Sequence, residues 1–287
     1  MNRVRTFLGM IRFEHTIFAL PFAYLGMVLA AAALGGWPTW GQVFWITVAM
    51  ASARTLAMTV NRIADREFDA ANPRTARRAI PTGQLSVRAA WGAAAVALAL
   101  LILAAAMLNP LCLMLLPVAA LFLVGYNYTK RFTWLSHWIL GLTDGAAVMG
   151  AWIAVYPTLT APTPWLLWLA VTVWIAGFDL IYACQDAEFD RQAGLYSVPA
   201  RFGVAAALRL ARINHGLTVL LLAAAGLLAG LGWPYWLGLA VIAGLLAYEH
   251  SLVRPDDLSR LDMAFFNVNG YISVIAFVSV FVALLVA

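Results

Sequence analysis

"NRIADREFD", residues 61–69, puts five charged side chains into nine positions of a chain that is 64% hydrophobic and only 11% charged. Residues 61–83 hold eight of the chain's 18 basic and 13 acidic side chains, with the signs interleaved. Arg54, Asn61, Asp65 and Asp69 are spaced by seven, four and four. On a helix of 3.6 residues per turn these positions share one face. Arg62, Arg66 and Glu67 point off that stripe and read as interfacial charge, where exposed ion pairs are weak. Arg54 is different. It lies about two turns inside an apolar run, where an ionised group is costly unless it is paired or lines a wet cavity.

The surroundings define the class. A mean hydropathy of +0.86 excludes an ordinary soluble domain, which is about half apolar and about a quarter charged. Apolar runs of bilayer-spanning length occupy residues 16–35, 42–61, 88–108, 110–127, 137–156, 164–184, 205–230, 234–249 and 265–287. A transmembrane barrel would show short alternating strands instead. The chain reads as one all-α integral membrane domain, 1–287, with nine transmembrane helices. Arg3, Arg5 and Arg12 precede the first run as they would in a secretory signal. A signal's apolar region spans about 7–15 residues, and this run is longer, with Glu14-His15 at its entrance. It reads as a retained helix. Cys112 and Cys184 lie inside apolar runs and suit neither a disulfide framework nor a zinc site.

Basic residues sort by connection. The N-terminus has Arg3, Arg5 and Arg12, and the second-to-third connection has Arg62, Arg66, Arg74, Arg77, Arg78 and Arg88. Lys130 and Arg131 follow the fourth run. Arg191, Arg201, Arg209 and Arg212 follow the sixth, and Arg254 and Arg260 the eighth. The opposite loops, "GGWPTWGQ", "YPTLTAPTP" and "GLGWPY", have neither Lys nor Arg. The positive-inside rule therefore places the N-terminus and long loops in the cytoplasm, in a multi-pass protein of the cell (inner) membrane. Tryptophans 37, 40, 165, 168, 233 and 236 form an aromatic belt at the outer interface. The net charge of +5 is a topology signal, and with no soluble basic face it does not indicate a nucleic-acid partner.

The sixth run repeats the device of the second. Asp179, Tyr182, Asp186 and Asp190 in "DLIYACQDAEFD" are spaced by three, four and four. Both runs head toward the cytoplasm, so the two acidic ends converge on one cavity, and a weak internal repeat follows without strong residue-by-residue identity. Carboxylate oxygens are hard ligands suited to Mg²⁺, which commonly bridges to substrate phosphate. His15, His137, His215 and His250 are scattered singly, which argues against zinc. Two Asp pairs facing each other repel unless cations intervene, and a Mg²⁺-bridged phosphorylated ligand resolves that repulsion. Lys130, Arg131, Arg74, Arg77 and Arg78 are available for phosphate contacts. A glycosidase needs two single carboxyls rather than two i,i+4 pairs.

These residues resemble the UbiA-type superfamily of intramembrane aromatic prenyltransferases over essentially the whole chain. The resemblance rests on "NRIADREFD" as an Asn-x-x-x-Asp-x-x-x-Asp motif and "DLIYACQDAEFD" as the second Asp-rich motif, with "NPRTARRAIPTG", "YNYTKRFT" and "GLYSVPARFG" in order. It implies Mg²⁺-dependent transfer of an isoprenoid chain from its diphosphate to an aromatic acceptor, inside a UbiA-type helical bundle open sideways to lipid. By position it implies that Asn61, Asp65 and Asp69 hold one Mg²⁺-diphosphate face and Asp186 and Asp190 the other. Lys130 and Arg131 match the family's basic pair near the diphosphate. Arg54 stands where a cation would take an aromatic carboxylate, Asp179 matches the earlier acid of the second motif, and the resemblance groups Asp179 and Tyr182 with Arg54 at the aromatic acceptor. Many members have Asp directly after the motif Asn. Here it is Arg62, so no metal role is carried to that position. Phe122, Tyr126 and Tyr182 either offer π faces to an allylic cation or serve as ordinary core packing.

"RFEHTIFALPFA" and "NPRTARRAIPTG" resemble the 4-hydroxybenzoate polyprenyltransferase-like branch, which implies polyprenyl diphosphate and an aromatic carboxylic acid as partners, in ubiquinone biosynthesis. Dihydroxynaphthoate, in menaquinone synthesis, carries the same two groups, so Arg54 does not separate them. A transporter would place ionisable groups in both halves of the membrane, whereas here the outer half is almost free of charge. A non-catalytic lipid- or quinone-binding scaffold would not need both Asp stripes.

Overall fold

The computed structural model of the chain describes residues 3–11, 20–261 and 263–287. Arg12, Glu14 and His15, the start of the first apolar run and most of "RFEHTIFALPFA" lie outside the described residues. Among the described residues the fold is all-helical. The helices are α1 (Arg3–Met10), α2 (Leu20–Ala33), α3 (Trp40–Ala64), α4 (Arg66–Ala71), α5 (Val87–Leu108), α6 (Pro110–Thr129) and α7 (Ser136–Val155). They continue as α8 (Pro162–Ala183), α9 (Ala187–Gln192), α10 (Val198–Phe202), α11 (Val204–Leu228), α12 (Trp233–Ser251) and α13 (Asn269–Leu285). Six stretches are long and apolar enough to cross a membrane: α3, α5, α6, α7, Pro162–Gln192 and α11. The helices α2 and α13 are apolar but shorter.

Local chemistry sets the ends. The Thr39 hydroxyl accepts from the Gln42 amide at 3.2 Å while the Gln42 side chain accepts from Thr39 N–H at 2.9 Å, a capping box that starts α3. Asn109 divides α5 from α6. Its side-chain oxygen caps Cys112 N–H, its amide donates to the Ile153 and Ala154 carbonyls of α7, and Pro110 takes the first helical position.

Small residues bring the helices together, as packing without a hydrophobic driving force requires. At Gly26 of α2 a Cβ would lie 2.4 Å from the Val148 carbonyl oxygen of α7, and at Gly141 of α7 it would lie 2.2 Å from the Thr172 carbonyl oxygen of α8. The buried core runs through α2, α7, α8, α11, α12 and α13 and includes Phe22, Trp174, Leu180 and Ile272. Opposite it, α5 and α6 expose Leu100, Leu103, Met107, Met114, Val118 and Leu121. That is the surface expected of helices facing lipid. Trp37, Trp40, Trp165 and Trp233 are exposed, and Trp168 and Trp236 half-buried.

The two polar stripes are not straight. The helix α3 stops at Ala64, Asp65 takes φ −91°, ψ 8°, and Asp69 lies in the separate six-residue α4. The second motif repeats this: α8 stops at Ala183, a single tight turn covers Cys184–Asp186, Asp186 takes φ −103°, ψ 4°, and Asp190 lies in the six-residue α9. The sparsely populated bridge conformation bends each arm at its middle acid. The bend also exposes an identity that hydropathy reading missed: residues 65–69, "DREFD", and 186–190, "DAEFD", differ at one position in five. Their burial matches as well, with the last Asp buried, the Glu exposed and the Phe half-buried in both arms.

Candidate active site

The two arms meet at one end of a cavity of about 740 Å³. The charged rim is formed by Asn61, Asp65, Asp69, Arg74, Arg78, Lys130, Arg131, Asp186 and Asp190, and the far end is apolar, with Leu108, Leu116, Val118, Phe122, Leu159 and Trp165. The α3, α6, α7 and α8 helices supply most of the wall, so the cavity runs along the helices rather than across them.

At the rim every motif aspartate faces a cation. Arg78 Nη1 donates to Asp69 Oδ1 at 2.6 Å, and Arg74 grips Asp186 through Nε at 3.0 Å and Nη2 at 2.5 Å. Lys130 Nζ lies 3.0 Å and 2.9 Å from the two oxygens of Asp190, and Arg131 Nη2 lies 3.6 Å from Asp65. Arg131 also donates to the Ala64 carbonyl at 2.6 Å and lies over the rings of Phe68 and Tyr128, which fixes it at the end of α3. Asn61 Nδ2 donates to Asp65 Oδ2 at 3.1 Å. Burial, and then the charge of Asp69, raise the Asp65 carboxyl above its ordinary value, against the pull of Lys130 and Arg131. Among the described residues no three His, Cys, Asp or Glu side chains converge closely enough to hold one ion.

Several residues hold the rim without having been singled out from sequence. Asn72, which caps the end of α4, donates through Nδ2 to Asp186 Oδ1 at 3.1 Å and so ties the first arm to the second. Ser197 Oγ donates to Asp190 Oδ2 at 2.9 Å and also caps α10. Tyr196 N–H donates to the Lys130 carbonyl at 2.7 Å. Both Asn72 and Ser197 lie in stretches whose resemblance to a family is legible, yet nothing in their spacing marks them. The Tyr182 hydroxyl accepts from Arg74 Nη1 at 3.0 Å, which places Tyr182 at the charged rim rather than beside Arg54. Arg77 is exposed and does not line the cavity.

Deeper in, about 10–16 Å from the rim by helical rise, lie Arg54, Asp144 and Asp179. All three line the cavity. Arg54 makes no ion pair within 4.0 Å, and its Nε is buried with no hydrogen-bond partner. Asp179 Oδ2 is bonded to His137 Nδ1 at 2.7 Å. Val198 N–H donates to His137 Nε2 at 3.2 Å, so Nε2 carries no proton and Nδ1 is the donor to Asp179. His137 therefore orients a cavity carboxylate instead of standing singly. His215 and His250 do not stand singly either: they meet at 3.0 Å in a buried cluster with Glu249, Asn269 and Trp174. Arg62, expected at the interface, is buried under the end of α1, with Nε donating to the Met10 carbonyl at 3.4 Å. Arg66 and Glu67 are exposed and paired with each other at 2.7 Å. Cys112 and Cys184 are both free thiols.

Comparison with known proteins places the chain in a family. A 4-hydroxybenzoate octaprenyltransferase of Cupriavidus necator is 34% identical over 272 residues, covering 92% of each chain. The apo structure of a UbiA homolog from Aeropyrum pernix K1 superposes with a TM-score of 0.85 at 33% identity, over 94% of this chain and 98% of that one. A UbiA homolog from Archaeoglobus fulgidus bound to DMAPP and Mg2+ shares the fold, with a TM-score of 0.73 at 22% identity over 98% of this chain and 100% of that one. The model of the UbiA prenyltransferase family matches residues 19–284. A match over almost the entire bundle, with both acidic arms inside it, makes the chain a member of the UbiA prenyltransferase family.

Proposed function

We propose that the protein transfers a polyprenyl chain from polyprenyl diphosphate to the ring of an aromatic carboxylic acid, 4-hydroxybenzoate, with Mg²⁺ as cofactor. The observation that carries the reading is the division of the cavity. Four carboxylates matched to four cations stand at one end, an unpaired guanidinium about 16 Å deeper along α3, and apolar wall beyond. Names of relatives such as the Cupriavidus necator enzyme support the choice of acceptor.

The donor set fits Mg²⁺. Its ligand oxygens are carboxylates with one carboxamide, which are hard donors, and Asp69 Oδ2 is buried with no partner. Asn61, Asp65 and Asp69 would hold the ion on one arm, and Asp186 and Asp190 on the other. When bound, Mg²⁺ stabilises the negative charge that builds on the leaving diphosphate oxygens. Lys130, Arg131, Arg74 and Arg78 take the remaining diphosphate charge through charge-assisted hydrogen bonds. The C–O bond of the allylic diphosphate breaks with its electron pair on oxygen. The rings of Phe68 and Tyr126, both on the cavity wall, offer π faces to the allylic cation and exclude water. Arg54 binds the acceptor carboxylate and so aligns the ring. A ring carbon forms the new C–C bond, and the proton on that carbon is released to restore aromaticity.

The proposed bundle spans the inner membrane nine times, α2, α12 and α13 joining the six long stretches, with the N-terminus and the charged rim on the cytoplasmic side. The purified protein should convert polyprenyl diphosphate and 4-hydroxybenzoate to the prenylated acid only when Mg²⁺ is present. Loss of product on chelation and its return on Mg²⁺ addition support the reading. Transfer to dihydroxynaphthoate alone would move the acceptor assignment to that acid, and no transfer to either acid would sink it.

A further inference from the structure

Asp144 takes no part in the chemistry proposed for the cavity. It lies near the middle of α7, half-buried, with its side chain on the cavity wall, and it makes no hydrogen bond or ion pair among the described residues. Arg54 from α3 and Asp179 from α8 are the charged groups that act on it, and the Tyr126 hydroxyl from α6 faces the same space. Asp179 is already held by His137 at 2.7 Å. That leaves Arg54 and Asp144 as two unpaired opposite charges in one apolar cavity, more than 4.0 Å apart. Opposite charges in a low-dielectric setting attract strongly, and a direct pair would form if the backbones allowed contact. In this packing, with α7 seated against α2 at Gly26 and against α8 at Gly141, the two groups line the same cavity without touching. The result is a gap with a cationic end and an anionic end.

We propose that Asp144 is a specificity residue for the acceptor: its carboxylate accepts the hydrogen bond of a ring hydroxyl while Arg54 holds the same molecule's carboxylate. The proposal rests on the aromatic-acid reading above. A ligand that is only an anion satisfies Arg54 and leaves Asp144 buried and unsatisfied, which is costly. A ligand that is only a phenol leaves Arg54 unpaired. A hydroxylated arenecarboxylate satisfies both ends. The hydrogen bond to a carboxylate also pushes electron density from the hydroxyl into the ring and activates the carbon beside it. Specificity of this kind, built on a polar group that must be paired, discriminates far better than an apolar pocket does.

The test is calorimetric binding of 4-hydroxybenzoate and of benzoate to the full chain, in the wild type, Asp144→Asn and Asp144→Ala, with melting temperature measured beside each titration. The wild type should bind 4-hydroxybenzoate at least roughly tenfold tighter than benzoate, the scale of one hydrogen bond to a charged group. Asp144→Ala should bind the two acids equally, and Asp144→Asn should fall between. Binding of a non-hydrolysable prenyl diphosphate analogue should not change. Equal binding of both acids by the wild type, or an undiminished preference in either folded variant, overturns the role of Asp144 alone. If the wild type binds neither acid, the aromatic-acid reading is overturned, and the role of Asp144 falls with it.

Discussion

Gly141→Ala adds one methyl group at a point that does not line the cavity, yet it should reach the chemistry. The new Cβ would lie 2.2 Å from the Thr172 carbonyl oxygen, 3.0 Å from its carbon and 3.2 Å from its Cα. Non-bonded heavy atoms settle at about 3.5 Å or more, so α7 and α8 must part by roughly 1.3 Å. The atom in the way is backbone, and no side chain can swing aside to relieve it. Overpacking of this kind costs about 1–3 kcal/mol. The displacement matters more than the energy. His137 and Asp144 ride on α7, Asp179 and Tyr182 on α8, and the 2.7 Å bond from His137 to Asp179 crosses the seam.

A misplacement of about 1 Å far from the chemistry can cost on the order of a hundredfold in rate. Gly141→Ala should therefore lower both the melting temperature and kcat/KM for prenyl transfer, the latter by about a hundredfold. Gly216→Ala is the control, because it lies exposed on α11 and a Cβ there meets nothing within 4 Å. It should melt at or slightly above the wild-type temperature, given the better helix propensity of alanine. Wild-type kcat/KM in Gly141→Ala, with or without a lower melting temperature, would refute the claim that the α7–α8 seam sets the site geometry.

Three further outcomes follow from contacts at the site. Asp186→Ala strips Arg74 and Asn72 of their shared acceptor, and Mg²⁺-dependent turnover should disappear while membrane insertion persists; normal turnover in inserted protein would undo the assignment of the second arm. Arg54→Ala should raise KM for the aromatic acid roughly tenfold or more and leave that for prenyl diphosphate near the wild-type value, whereas equal effects on both would make Arg54 a phosphate ligand or a structural group. His137→Phe removes the donor to Asp179, so kcat should fall with KM for prenyl diphosphate unchanged, and His137→Asn, which restores an N–H donor, should recover part of it. An unchanged rate in the Phe variant, or no recovery in the Asn variant, would deny His137 a positioning role.

How far the sequence carries the fold depends on how each feature is written into it. Long apolar runs declare helices because burial in lipid is a property of composition, and Asn109-Pro110 declares a boundary because capping is local. The bends at Asp65 and Asp186 are not declared: neither Gly nor Pro stands there, and neither Asp caps the following helix with its side chain. Likewise, Arg62 reads as a surface charge by its helical angle, while the end of α1, far away in sequence, covers it.

The rim was legible in kind but not in pairing. That the carboxylates and the cations belong together follows from repulsion alone, but which cation meets which acid depends on the course of the 72–86 loop. That loop delivers Arg74 across to Asp186 of the second arm and returns Arg78 to Asp69 of the first. The pairing has a chemical consequence. Each cation that a diphosphate would contact is already held by an acid that Mg²⁺ would claim, so the four ion pairs keep two acidic arms together without ligand. Removing Arg74, Arg78 or Lys130 leaves Asp186, Asp69 or Asp190 as a largely desolvated charge, which is more costly than losing the exposed Arg66–Glu67 pair. Arg54 and Asp144 stand apart from that balance. They are the two charges at depth for which the described residues supply no hydrogen bond or ion pair, and the same low dielectric that makes the rim pairs strong makes their separation the most demanding feature of the cavity. A small molecule carrying both an anion and a hydroxyl removes that demand, and a prenyl diphosphate anchored at the rim leaves it in place.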